Sequence, residues 1–509
     1  MTTQALLSAQ FKTDPYLHQW LEFERSAEAK SRALIWQMRT GKSKLTVDTA
    51  CHLFMAGLID AVLVLAPNGV HENWVRRELP IHLWECIKYR ALSWRTDIAG
   101  KKGIKRVAAG ERQTWTDTHE EFWLQAADML KDKKTMCWFS FNSESMTRDD
   151  VRKLVARIGR NRRVLVIFDE SHDYRQPGSK RTKMARALAG KCAYRRILSG
   201  TPILNSPLHA YSQFELLEKG ALGFPDFEAF KAKFAEYKLE KNWKTGKTYP
   251  KLDGYINMEL LRERMAPWSS VVLRSDCQDM PDLVHTVREV ELSDEQVRLY
   301  RELVAAFEVE LEDGKIVSIG EQTNRLMKLQ QVVNGFLIDE FKGVHLLSEN
   351  PRLDHLIDEV YLTPGKFIVW CAFQRDMDIV AKALRERGYK ILEYHGRTSP
   401  DDKRRAREAF APGADSDIDG LVGHPKSGGS GLDLSDAGKI IWYSGTPDAI
   451  VVNQADERAT AVGGKNVPIV SLRAPGVDYY WADIVENKRL LSDDVAGNGL
   501  KAVLNRIKI

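Results

Sequence analysis

Two short segments carry residue types that could act on a phosphoanhydride: Arg39-Thr40-Gly41-Lys42-Ser43 and, downstream, Asp169-Glu170-Ser171-His172. A loop between a strand and a helix aims backbone N–H groups and the helix N-terminus at phosphates. In that setting the Lys42 ammonium would reach the β- and γ-phosphates and the Ser43 hydroxyl would ligate Mg²⁺. Two adjacent carboxylates divide the remaining work. Asp169 would hold the metal, directly or through water, and Glu170 would polarise the attacking water. Each segment alone has a plain reading. Trp36 stands where the strict phosphate-loop pattern has its first Gly, so Gly-Lys-Ser is equally a helix start with an exposed lysine. Asp-Glu is equally an acidic strand end. His172 has no second His or Cys at ligand spacing, which assigns it to coupling, not to metal.

The elements that must position these residues support the chemical reading. Ala33–Trp36, Ala61–Ala66, Met136–Phe139, Val164–Phe168 and Arg196–Leu198 are short apolar runs, each ending in a polar or turn residue. Such runs between amphipathic stretches predict a parallel sheet covered on both faces, with its ligand crevice at the strands' C-terminal ends. A second series follows: Lys366–Trp370, Lys390–Tyr394, Gly420–Val422, Lys439–Tyr443 and Val467–Leu472. Between the two series the pattern is mainly helical. Phe227, Phe230, Phe234 and Tyr237 fall at helical spacing and read as core, Lys241–Gly254 reads as a loop, and Asp294–Glu312 as a long helix. The expectation is an α/β chain with lobes at 1–220 and 351–490, inserted helical segments at 221–350, and a tail at 491–509.

Composition sets outer limits. The chain has 509 residues, 43% hydrophobic and 28% charged, with net charge +5, so more than one domain is expected and a polyanionic partner is permitted but not demanded. No apolar run approaches the roughly 20 residues that span a bilayer. The six cysteines are scattered without a CxxC pair, the usage of a reduced, cytoplasmic protein and not of a disulfide frame or zinc site.

Ser199-Gly-Thr201-Pro202 after a third strand end, with Asn205, completes an order that resembles the superfamily II helicases and, within them, the SWI/SNF-type DNA translocases. The resemblance implies two RecA-like lobes clamping one ATP with Mg²⁺, DNA as the partner, and no membrane. It further implies that Gln19, in Tyr16-Leu-His-Gln19, contacts the adenine. Pro67, Asn73 and Trp74 would lie in the first DNA-contacting segment, with Ser199 and Thr201 contacting DNA and, with His172, coupling the motifs. In the second lobe Tyr394-His-Gly396 with Arg404, Arg405 and Phe410 matches one motif. Ser427-Gly428 with Gly431 and Asp433 would touch DNA and nucleotide, and Gln454 and Arg458 would reach the phosphates. Tyr443–Thr446 is closer to phage-encoded members than to chromatin remodellers, which would place the protein in a host cytoplasm.

The pattern is broken at Arg39, at Ser275, and at Ala461, where a second Arg is usual. Losing an arginine finger costs on the order of 10³-fold in other phosphoryl-transfer systems. Either Arg458 serves alone, Arg397 or Arg473 substitutes, or the enzyme is slow. The implied activity is a DNA helicase or translocase that remodels forks, Holliday junctions or R-loops in replication, recombination or repair. The alternatives are a duplex translocase that displaces bound proteins, and an ATP-gated clamp. Basic clusters at Lys101–Arg106, Lys131–Lys134 and Arg157–Arg163 read either as a DNA track or as solvated faces. Trp74 and Trp94 read either as a strand-separating wedge or, with more weight, as core.

Overall fold

The computed structural model describes residues 11–68, 70–94, 119–132, 134–200, 206–241, 248–273, 277, 283–312, 319–339, 341, 343–411, 413–428, 434–459 and 466–487. The chain divides into two compact units, Met1–Cys277 and Gln278–Ile509. In the first unit helix α1 (Leu17–Ser26) precedes β1 (Ser31–Trp36), and helix α2 (Lys42–Met55) precedes β2 (Ala61–Ala66). Then come β3 (Tyr89–Ser93), β4 (Met136–Asn142), β5 (Val164–Phe168), β6 (Tyr194–Ser199), a hairpin of β7 (Ala235–Lys241) and β8 (Thr248–Tyr255), and β9 (Ser269–Val272). Seven of these form one sheet, ordered β3-β4-β2-β5-β6-β1-β9, in which every pair is parallel.

β2 and β5 are buried at every position because successive side chains feed two separate cores. Leu63, Leu65, Val166 and Phe168 pack on one face, and Val62, Val64, Leu165 and Ile167 on the other. This is why a continuous apolar run, and not an alternating one, marks a strand covered on both faces. Register sets the site: Leu65 lies opposite Phe168 and Ile35 opposite Ser199. The loops after β1 and β5 therefore emerge from one edge of the sheet with only β6 between them.

The second unit comprises β10 (Leu283–Glu289), a small hairpin of β11 (Phe336–Ile338) and β12 (Val344–Leu346), β13 (Phe367–Trp370), β14 (Ile391–Tyr394), β15 (Gly420–Gly423), β16 (Lys439–Trp442) and β17 (Val467–Arg473). Its parallel sheet runs β10-β17-β16-β13-β15-β14. Helices α3 (Asp294–Glu312), α4 (Ile319–Val333), α5 (Pro351–Tyr361), α6 (Gln374–Glu386) and α7 (Val477–Glu486) belong to this unit.

Three expectations are corrected between the series. The helix Phe227–Phe234 buries Phe230 and Phe234, but Tyr237 lies on β7 and is 37% exposed. The stretch 248–254, expected within a loop, belongs to β8 (Thr248–Tyr255), paired with β7 from Ala235↔Tyr255 onward. The segment 221–350, expected to be mainly helical, also supplies β9 to one sheet and β10 to the other.

Candidate active site

Helix α1 presents Gln19 to the phosphate loop and is itself pinned from beneath. The buried Arg196 guanidinium donates to the carbonyls of Ser26, Ala27 and Ala29 at 3.0, 3.2 and 2.8 Å, satisfying acceptors that a helix C-terminus leaves open. Glu22 pairs with Arg32 of β1 at 2.7 Å, both buried. Gln19 is 2% exposed. Its Oε1 accepts from the Tyr16 N–H at 2.9 Å, and its Nε2 donates to the Thr40 carbonyl at 3.2 Å, which His18 Nε2 also meets at 2.7 Å. The amide expected at an adenine thus braces the phosphate loop.

Within the loop Arg39 (φ 66°) and Gly41 (φ 85°) are both left-handed, a conformation that is uncommon for a side chain like that of Arg39. The Thr40 hydroxyl donates to the Gln37 carbonyl at 2.7 Å. Lys42 opens α2 and turns its ammonium back onto the carbonyls of Trp36 (2.7 Å) and Gln37 (3.1 Å). Ser43 follows, half-buried in the first helical turn.

Asp169, 8% exposed, stands at the end of β5. Its Oδ1 accepts from the Glu170 N–H at 3.0 Å and its Oδ2 from the Trp74 indole at 2.9 Å. Burial pushes this carboxyl above the usual range and the Glu170 charge adds to that, while the Trp74 indole and the Lys42 charge oppose it. Glu170 takes a left-handed conformation (φ 49°) and faces His172 Nδ1 at 3.3 Å. Burial would lower the His172 pKa, but attraction to Glu170 and Asp173 overrides it and the pKa rises. The Ser171 hydroxyl donates to Gln213 Oε1 at 2.7 Å, tying the acidic turn to the helix His209–Phe214. Sequence reading passed over Gln213 and Arg196, which lie in patterns indistinguishable from any helix or strand.

Two DNA-contact expectations are corrected by burial. Trp74 is 1% exposed, stacks on Trp138, and spends its N–H on Asp169. Ser199 is 2% exposed at the end of β6. Trp94 is likewise core, edge-on to Phe122 at 4.9 Å. Pro67 caps the next helical turn through its carbonyl, at 3.1 Å from Val70 N and 3.2 Å from His71 N, and Asn73 is half-buried. Arg162 of the third basic cluster is also buried, its guanidinium on the Met129 carbonyl at 2.7 Å. Thr201, Pro202, Asn205, Ser275, Gly431, Asp433, Ala461 and the cluster Lys101–Arg106 lie outside the described residues.

In the second unit Ser427 is half-buried in the short helix Pro425–Gly428, its N–H on the His424 carbonyl at 2.9 Å. Gln454 lies half-buried on the helix Ala449–Asp456, and Arg458, 9% exposed, in the turn that follows. Of the arginines that could substitute for a missing finger, Arg397 pairs with Asp378 at 3.1 Å and Arg473 with Glu486 at 3.5 Å. Behind this surface lies a buried polar knot. Arg352, fully buried, donates to Asn334 Oδ1 and the Tyr443 carbonyl, both at 2.9 Å, and pairs with Asp478.

The first unit's residues fit a magnesium nucleotide. The loop holds an ammonium against two neutral carbonyls, where phosphate oxygens would be stronger acceptors. Ser43 and Asp169 offer a hydroxyl and a carboxylate, the hard oxygen donors Mg²⁺ takes. Bound there, Mg²⁺ would neutralise phosphate charge. Lys42 would hold the phosphates, Gln19 would keep the loop in place, and Glu170 would orient and polarise a water.

Comparison with known proteins agrees. Residues 29–337, more than half of the chain, match the SNF2-related domain, and 351–463 match the helicase conserved C-terminal domain. The chain is similar to the ISWI chromatin-remodeling complex ATPase CHR17 of Arabidopsis thaliana, 23% identical over 84% of this chain and 37% of that protein. It is also similar to the SWI/SNF chromatin-remodeling complex subunit snf22 of Schizosaccharomyces pombe, 27% identical over 63% of this chain and 20% of that protein. It therefore spans well under half the length of either relative. Among solved structures, the Sulfolobus solfataricus SWI2/SNF2 ATPase core in complex with dsDNA is 18% identical, with TM-score 0.39 over 97% of this chain and 96% of that one. With the phosphate loop and the acidic pair on one edge of a parallel sheet and the family match spanning that sheet, the chain belongs to the SNF2-related family.

Proposed function

We propose that this chain is a DNA-dependent ATPase that uses ATP hydrolysis to translocate along duplex DNA. The observation that carries this reading is that Lys42 and Ser43, after β1, and Asp169 and Glu170, after β5, leave the same edge of one parallel sheet with only β6 between them. Lys42 and Ser43 hold the nucleotide, Asp169 the metal, and Glu170 the water. To Gln454 and Arg458 we assign the stabilisation of charge on the transferred phosphate. DNA is the proposed track because Arg76 and Arg77 stand exposed on the segment that contains Asn73, and contacts of that kind go to phosphate and carry little sequence preference.

The finer reading is that the motor remodels forks, Holliday junctions or R-loops, with displacement of bound proteins from duplex as the alternative. The run Tyr443–Thr446 that motivated a phage-type substrate begins in the core: Tyr443 is fully buried, its hydroxyl accepting from Asn350 at 3.0 Å. That residue answers to packing and not to DNA. Duplex translocation is the reading we favour because the exposed Arg76 and Arg77 suit phosphate contacts, which a continuous duplex supplies. ATP turnover measured with single-stranded, duplex, forked and four-way DNA tests it. Duplex should stimulate as strongly as the branched forms. Stimulation confined to forked or four-way DNA would replace it with branch remodelling, and none with any DNA would reject the motor.

A further inference from the structure

We propose that Trp74 is a positioning residue for the metal-binding carboxylate, fastening Asp169 to the helical segment that runs from Val70 to His82 and carries Arg76 and Arg77 on its outer face. The inference rests on the ATP-hydrolysing reading above. The two residues are 95 positions apart and meet through one hydrogen bond, the indole N–H to Oδ2 at 2.9 Å. Both are buried, Trp74 1% and Asp169 8% exposed. An indole can only donate, and a carboxylate accepts more strongly than any neutral group. With Oδ1 taken by the Glu170 N–H, these two bonds come from different parts of the chain and fix the carboxylate's rotation between them. One of them is lost if the helical segment shifts.

The local backbone explains how one short segment faces both ways. Val70–Asn73 is α-helical, Trp74–Glu78 is a π-helical turn, and Leu79–His82 returns to α. The Leu79 N–H reaches the Trp74 carbonyl five residues back. A π turn widens the helix locally and occurs frequently at functional sites. Here it sends Trp74 inward while Arg76 and Arg77 remain exposed. Arg76 pairs with Glu72 at 3.2 Å on that outer face. Any ligand that moves Arg76 and Arg77 as a body would move the donor that holds Asp169.

Trp138 of β4 is the internal control. Its ring stacks on that of Trp74 at 6.4 Å between centroids, and its own indole nitrogen is buried without a hydrogen-bond partner. Trp138→Phe removes comparable volume from the same stack and leaves Asp169 untouched. Mn²⁺ binding to the full chain in the presence of ADP, followed by electron paramagnetic resonance, reads the carboxylate's metal affinity without catalysis. Trp74→Phe should weaken Mn²⁺ binding by about tenfold or more, as removal of a partner behind a metal ligand does. ADP binding without metal should stay the same, as should Mn²⁺ binding in Trp138→Phe. Replacing Trp74 by 3-benzothienylalanine keeps the bicyclic shape without the N–H, and should reproduce the loss where Trp74→Phe folds poorly. Unchanged Mn²⁺ affinity in the benzothienyl variant, or equal losses in Trp74→Phe and Trp138→Phe, would overturn the inference. Failure of the wild-type chain to bind Mn²⁺ with ADP would instead reject the nucleotide reading on which it rests.

Discussion

A β-carbon at Gly41 would fall 1.8 Å from Gln19 Nε2, so the phosphate loop and the helix that braces it touch where only a glycine leaves room. Gly41 also takes φ 85°, a conformation that costs an L-residue about 1–2 kcal/mol. Gly41→Ala should therefore destabilise the first unit by at least that amount in urea titration and weaken binding of a fluorescent ATP analogue. Adding Gln19→Ala should recover the part due to the collision but not the part due to φ. Full recovery in the double variant would show that the backbone conformation is unstrained.

Lys42 turns its ammonium onto the carbonyls of Trp36 and Gln37 at the start of the helix, the position from which it would meet phosphate. Lys42→Ala should lower ATP turnover by on the order of 100-fold or more, the scale seen when a charge-stabilising donor is removed. Fluorescence anisotropy should find duplex DNA affinity nearly unchanged. Parallel loss of both would point to misfolding of the loop.

The phosphate loop, the acidic pair and ten of the strands could be read from the chain because their signals are local: a continuous apolar run, then a turn carrying the chemistry. β10 was missed because Leu283–Glu289 is mostly exposed and holds its place by register, Leu283↔Val467 through Glu289↔Arg473. No local pattern announces a partner so distant in sequence. Trp74 reads with more weight as core and is core, but its acceptor is fixed by the order of β4, β2 and β5 and not by its neighbours in sequence. Arg352 and Arg196 are core, bonded across long separations in sequence, and no local pattern marks either as buried.

Arg352 joins α5 to Asn334, to the end of β16 and to Asp478 of α7. Removing it strands a buried carboxylate, which typically costs about 3–5 kcal/mol. Arg352→Met should lower the second unit's stability by that order in chemical denaturation. Arg352→Lys should rescue little, because one ammonium cannot reproduce the planar fork. A loss within experimental error in Arg352→Met would show that Asp478 finds another partner.

Asp376 of α6 supplies a pH signature. Burial pushes its carboxyl up to about 7, against the hydrogen bonds from Ser444 and Asn334 and the Arg352 charge. The unfolded value is about 3.9. Between those limits the folded chain keeps a proton that the unfolded chain has released, so this group's contribution to stability declines as pH rises through the window. Asp376→Asn abolishes that term. The stability of the variant relative to wild type should therefore climb from acid toward pH 8; parallel pH curves would contradict the assignment.

Glu170 is the residue assigned to activate water at a DNA-responsive ATP site, and steady-state hydrolysis by wild type and Glu170→Gln, each with and without duplex DNA, decides that assignment. Turnover should rise with DNA in the wild type and fall by about 100-fold or more in Glu170→Gln, with ATP still bound. Equal background turnover in both proteins, unmoved by DNA, would contradict it and leave an ATP-gated clamp.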